Sequence, residues 1–182
     1  MGEAPQSPIV MTLHERLAKI RYKGIFDLAN LYKKMYLWAE ERDYEFYERA
    51  YKHKWRGKTA EIELKWTMEQ ELNSFSKAVI RVHFHLWEYK ELDVVKDGVR
   101  KRMNSARMFI DYSGELQLDW QKRWSDTWWK RKLRDFYLEY ALRQEIATSW
   151  WDKLWYNANK LQQLTKRELG MESESDVYDD MW

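Results

Sequence analysis

Apolar and polar side chains alternate through much of the middle of the chain, most regularly between Ala78 and Gly98. Ala78, Ile80, Val82, Phe84 and Leu86 interleave with Lys77, Arg81, His83, His85 and Trp87. Only an extended backbone sorts these two sets onto opposite faces. Asp97-Gly98 closes the run with a dipeptide favoured in tight primed hairpin turns, so the run predicts the central strand of an antiparallel sheet. The same period returns in Ala60, Ile62, Leu64, Trp66 and Met68, in Ala106, Met108, Ile110 and Tyr112, and, after a break at Gly114, in Leu116, Leu118 and Trp120. Tyr47, Tyr51 and Trp55 fit either a helical four-residue step or one face of a strand. Arg56-Gly57-Lys58 resembles a hairpin turn and favours the strand.

Elsewhere the period is helical. Leu28, Leu31, Tyr32, Met35 and Trp38 form one stripe, predicting a helix from Leu28 to Arg42 with Asp27 as N-cap behind a break at Gly24. Leu13–Lys23 stays open between helix and strand. From Gln121 to Leu169 there is no Gly or Pro. Ser125 or Asp126 would cap a helix burying Trp129, Leu133, Phe136, Tyr137 and Tyr140. A second stripe is Ile146, Trp150, Leu154, Ala158, Leu161 and Leu164, with Gly170 placed as a C-cap. At about 1.5 Å per residue one straight helix over this stretch would outrun the width of the domain, which places a bend near Leu142–Glu145. The expected fold is therefore α+β: an antiparallel β-sheet of four to five strands with an N-terminal helix and two C-terminal helices packed on one face. Residues 1–11 read as a flexible leader, 12–169 as a single α+β domain and 170–182 as an acidic tail.

Composition changes this picture in one respect. Twelve Trp and twelve Tyr among 182 residues are an excess that must fill a core, cover an interface, or do both. The net charge of +2 is split between a mildly basic body and a tail carrying Glu172, Glu174, Asp176, Asp179 and Asp180 without a base. A solvated surface accounts for that split, and docking of the tail or recognition of a polyanion are the functional alternatives. There is no Cys, so neither disulfides nor thiolate metal sites contribute, as suits a reducing compartment. No signal peptide and no apolar run long enough to span a bilayer is found, so a cytoplasmic protein without a membrane span is expected.

The pattern Tyr22-Lys-Gly-Ile-Phe-Asp27, then Leu31-Tyr32 and Trp38, and later Gly114-Glu-Leu-Gln-Leu-Asp119 with Trp124, resembles small conserved hypothetical proteins of archaea over most of residues 13–169. The resemblance implies a cytoplasmic archaeal origin and a compact domain. It assigns no function and no site residue.

Candidate chemistry is thin. His83 and His85 share one strand face about 6–7 Å apart, a spacing usable by Zn, Cu, Fe or Ni, with His53, Glu61 or Glu63 as the third ligand. No metal-binding motif supports them, and His is ordinary on a half-exposed strand, so no metal or other cofactor is expected. Glu115 and Asp119 beside Gly114 are the carboxylates nearest to an acid–base pair, with structural roles the plainer reading. No phosphate loop, dinucleotide fingerprint or nucleophile elbow occurs, and no enzyme is expected.

Two aromatic clusters remain. Trp150, Trp151, Trp155 and Tyr156 suggest a protein–protein or self-association interface, because two adjacent Trp cannot both enter one narrow core stripe. Trp128 with Lys130, Arg131, Lys132 and Arg134 mixes π-faces with cations, as single-stranded nucleic acid requires, although an amphipathic helix with a charged outer face has the same composition. The leading expectation is a non-enzymatic structural or interaction protein. A nucleic-acid-associated protein is the alternative, and a ligand cup lined by Trp66 and Phe84 is the third.

Overall fold

A computed structural model describes residues 9–12, 18–96, 99–121, 123–124, 127–136, 139–140 and 149–171. Six strands are β1 (Ile9–Thr12), β2 (Ala18–Phe26), β3 (Glu45–Arg56), β4 (Thr59–Glu71), β5 (Ser76–Lys96) and β6 (Val99–Leu118). Three helices are α1 (Leu28–Glu40), α2 (Trp128–Phe136) and α3 (Trp151–Glu168). All strand pairs are antiparallel, in the order β1-β6-β5-β4-β3, and β2 also pairs with β6. β1 lies along Glu115–Leu118 and β2 along Asn104–Tyr112, so the two follow one another on the same edge of β6 and the sheet has five rows. The expected α+β class, the antiparallel sheet, the N-terminal helix and the two C-terminal helices are all present.

β5 is central, as its alternation required. Ala78, Ile80, Val82, Phe84 and Leu86 are at most 1% exposed and face the helices, beside Ile62, Leu64, Trp66 and Met68 of β4 and Met108, Ile110 and Tyr112 of β6. α1 closes this layer with Leu31, Met35 and Trp38, and α3 with Leu154, Ala158 and Leu161. Full burial of each large apolar side chain contributes roughly 1.5–3 kcal/mol, and a continuous face of them makes the sheet–helix layer the core.

Local signals explain the boundaries. The Asp27 carboxylate accepts from the Asn30 amide at 2.9 Å, which starts α1 where the N-cap was expected, and α1 ends at Glu40. Gly170 follows α3 at φ 64, with its amide donating to the Arg167 carbonyl at 2.9 Å and that of Met171 to Lys166. The ambiguous segment before α1 is a strand from Ala18, and residues 45–56 are a strand as favoured. Between Trp87 and Lys90 the register of β5 shifts at Glu88, whose φ is 58. That bulge reverses the parity of the strand, so Tyr89, opposite Ala60, turns inward. Beyond Glu91 and Asn104 neither β4 nor β2 accompanies the hairpin, and Leu92–Lys96 pairs with Val99–Met103 as a two-stranded arm about 17 Å long. Lys96 pairs with Val99, although the Asp97-Gly98 turn itself lies outside the described residues.

Four readings need correction. Gly114 does not break a strand: β6 runs through it, opposite Ile80, because neighbours on both sides fix its backbone. Gly24 likewise lies inside β2, where a Cβ would stand 2.7 Å from the Tyr22 hydroxyl. Ile9–Thr12 reaches into the stretch read as a leader and pairs with β6. The largest difference is α2, whose Trp129, Leu133, Phe136 and Tyr140 were expected inside and are 52%, 46%, 59% and 71% exposed. α1 and α3 already occupy the apolar face of the sheet, so α2 has none to cover. Ser125, Asp126, Tyr137, Ile146, the bend at Leu142–Glu145 and the acids of the tail lie outside the described residues. Among the described residues, no helix is long and apolar enough to cross a membrane.

Candidate functional site

α2 forms because Trp128–Phe136 contains Lys, Arg and Leu and neither Gly nor Pro, and its first turn is closed by the Arg131 amide donating to Thr127 at 3.0 Å. Asp119, at φ 51 just past β6, anchors its approach by accepting from the Trp124 amide at 3.2 Å. Arg134 reaches back to Asp119 at 3.9 Å and donates to Asp135 at 3.0 Å. Its side chain is only 12% exposed, so of the proposed nucleic-acid set Arg134 is held by the fold. Lys132 leans over the Trp128 ring, 5.5 Å from its centroid, while Lys130 and Arg131 are half-buried.

The opposite side of this segment is apolar and uncovered. Trp129, Leu133, Phe136 and Tyr140 follow one another at steps of four, three and four, the seam spacing of paired helices. The Phe136 and Tyr140 rings lie 4.8 Å apart, which places them on the same side. Of the second cluster, Trp150 and Trp151 pack half-buried against Leu116 and Leu118, whereas Trp155 and Tyr156 of α3 are 53% and 55% exposed. The structure thus divides that cluster between an internal patch and solvent.

The histidines sit on the sheet face away from the helices. Their rings are 6.5 Å apart, His83 bonded to Glu63 at 3.0 Å and His85 to Glu61 at 2.7 Å. Each carboxylate is already claimed by cations. Lys65 and Lys52 lie 3.0 and 3.1 Å from Glu63 and hold it down to a pKa of about 2, and Arg56 lies 2.8 Å from Glu61. His53 stacks on Trp55 instead. Among the described residues, no group of three or more His, Cys, Asp or Glu could hold a metal ion.

Glu115 and Asp119 do not converge. Burial raises the Glu115 pKa, but hydrogen bonds from Arg81 and Gln117 outweigh it and leave the carboxyl below its usual range, while Asp119 holds the Trp124 turn. Trp66 and Phe84 touch each other, centroids 4.6 Å apart, and are 1% and 0% exposed, so neither lines an open cup.

An open groove of about 690 Å³ lies instead on the outer sheet face, between Arg21, Lys23, Trp87, Arg107 and Phe109. Sequence reasoning did not single out Arg21, Lys23, Arg107 or Phe109. The alternation of β6 already turned Arg107 and Phe109 outward, and only the register of β2 against it was missing. No protein-family model matches the chain, and no curated protein matches it.

Proposed function

We propose that this chain is a non-enzymatic interaction protein that associates with a second copy of itself through the α2 segment. The observation that carries the reading is the exposed seam of Trp129, Leu133, Phe136 and Tyr140, four large apolar side chains at helix-pairing steps. A two-fold antiparallel pairing centred between Leu133 and Phe136 sets Trp129 against Tyr140 and Leu133 against Phe136. The same operation sets Lys130 opposite Glu139 and Arg134 opposite Asp135, so both apolar and charged positions are self-complementary. Trp155 and Tyr156 offer further aromatic anchors on α3.

Light scattering on the full chain at micromolar and higher concentration tests this. A dimer is expected, with Leu133→Asp shifting it to monomer at unchanged circular dichroism. Lys130→Glu should weaken the dimer, and adding Glu139→Lys should restore it. A wild-type chain that scatters as a monomer throughout refutes the reading.

A further inference from the structure

The outer face of the sheet carries a different chemistry, independent of α2. Directly paired residues point the same way, so the register of β2, β6 and β5 assembles two adjacent rows there. One is Arg21, Phe109 and His85, and the other is Lys23, Arg107 and Trp87. These rows wall the 690 Å³ groove, with Arg21, Lys23 and Arg107 exposed and Phe109 and Trp87 half-buried.

Charge is distributed unevenly across this face. On the β3–β4 side the cations are paired: Lys52 and Lys65 with Glu63, Arg49 and Lys77 with Glu69, and Arg81 with Glu115. Among the described residues, no carboxylate lies within ion-pair distance of Arg21, Lys23 or Arg107. The nearest acid along β6 is Asp111, one outward position beyond Phe109, where it stands opposite Lys19 and His83.

The two aromatic residues differ as well. Trp87 is a fixed wall, with His85 stacked on it at 4.0 Å and the Arg107 guanidinium 5.1 Å from its centroid. Phe109 has no ring partner among the described residues, so its π-face is open to the groove.

We infer that this β2–β6–β5 face binds single-stranded nucleic acid, with a base stacked on Phe109 and the flanking phosphates held by Arg21, Lys23 and Arg107. Cations beside a free ring match a strand whose bases are unstacked. A duplex keeps its π-faces inside, and an acidic peptide uses the cations without needing the ring.

The test is fluorescence anisotropy of labelled oligo-dT and oligo-U, with a duplex of equal length, heparin and polyglutamate as competitors. The full-length chain should prefer single strands, with a log–log salt slope of about −2 from three phosphates at roughly 0.7 each. Phe109→Ala should weaken binding about fivefold or more and leave the slope unchanged. Arg107→Gln should reduce the slope by about 0.7. Both residues are outside the core, so circular dichroism and light scattering should not change, and failure here leaves the α2 association untouched. Equal affinity for duplex, displacement by polyglutamate as readily as by single strands, indifference to Phe109→Ala, or no binding at all overturns the inference. Loss confined to Lys132→Glu on α2 also overturns it by moving the site to the helix.

Discussion

Tyr112 and Thr165 join β6 to α3 at a point with no access to water, and breaking that link has a calculable cost. Both residues are 0% exposed, and the Tyr112 hydroxyl donates to Thr165 Oγ1 at 2.7 Å while Oγ1 donates to the Leu161 carbonyl at 2.9 Å. Burial drives the Tyr112 pKa well up, so the hydroxyl stays protonated and must find an acceptor. Thr165→Val keeps the shape but strands that hydroxyl, which should cost about 1–3 kcal/mol. Tyr112→Phe removes the donor and leaves Oγ1 still bonded to Leu161, so about 1 kcal/mol is expected. The double variant strands nothing and should cost less than the two singles added, with a coupling of about 1 kcal/mol or more. For a chain of this size each kcal/mol corresponds to roughly 2–4 °C in Tm. Urea unfolding followed by tryptophan fluorescence at one fixed protein concentration measures the cycle, because self-association would make stability concentration-dependent. Costs that add within about 0.5 kcal/mol would refute the assigned link.

Three other outcomes are expected. Asp27→Ala should cost about 1 kcal/mol through loss of the α1 cap, read as a lower urea midpoint. Glu63, held near a pKa of about 2 by Lys65 and Lys52, binds its proton more weakly folded than unfolded. Its contribution is therefore complete above the ordinary carboxylate pKa and fades as pH falls toward about 2, and Glu63→Gln should flatten the stability profile over that window. Phe84→Ala should cost about 3–5 kcal/mol, whereas His83→Ala, one residue away on the open face, should stay within about 0.5 kcal/mol in the same unfolding assay.

The chain's periodicity made the sheet legible where one face is buried and the other wet, because each position of β4 and β5 then reports its side directly. α1 was legible for the same reason, with Asp27 marking its start. Gly24 and Gly114 misled because a glycine signals local freedom only when neighbouring strands do not already fix the backbone. Trp129, Leu133 and Phe136 misled because an apolar stripe records that a face avoids water and says nothing of whether the cover is the same chain. The groove at Phe109 was half legible. Its β6 members alternate plainly, while Arg21 and Lys23 join them only through a long-range register that no local pattern encodes.

The β5–β6 hairpin has a consequence for how the native state opens. Its central residues, Ile80 to Leu86, are hydrogen-bonded on both sides and sealed by helices, so their amides should exchange with solvent only when the whole domain unfolds. A few residues further along the same strand, Leu92 to Lys96 have one partner strand and no core beneath them, and Val95 is 70% exposed. There, fraying from the tip should release amides without disturbing the rest. One continuous strand thus spans the range from sub-global to global opening, and native-state hydrogen exchange along it measures the stability of the domain at one end and of a bare hairpin at the other.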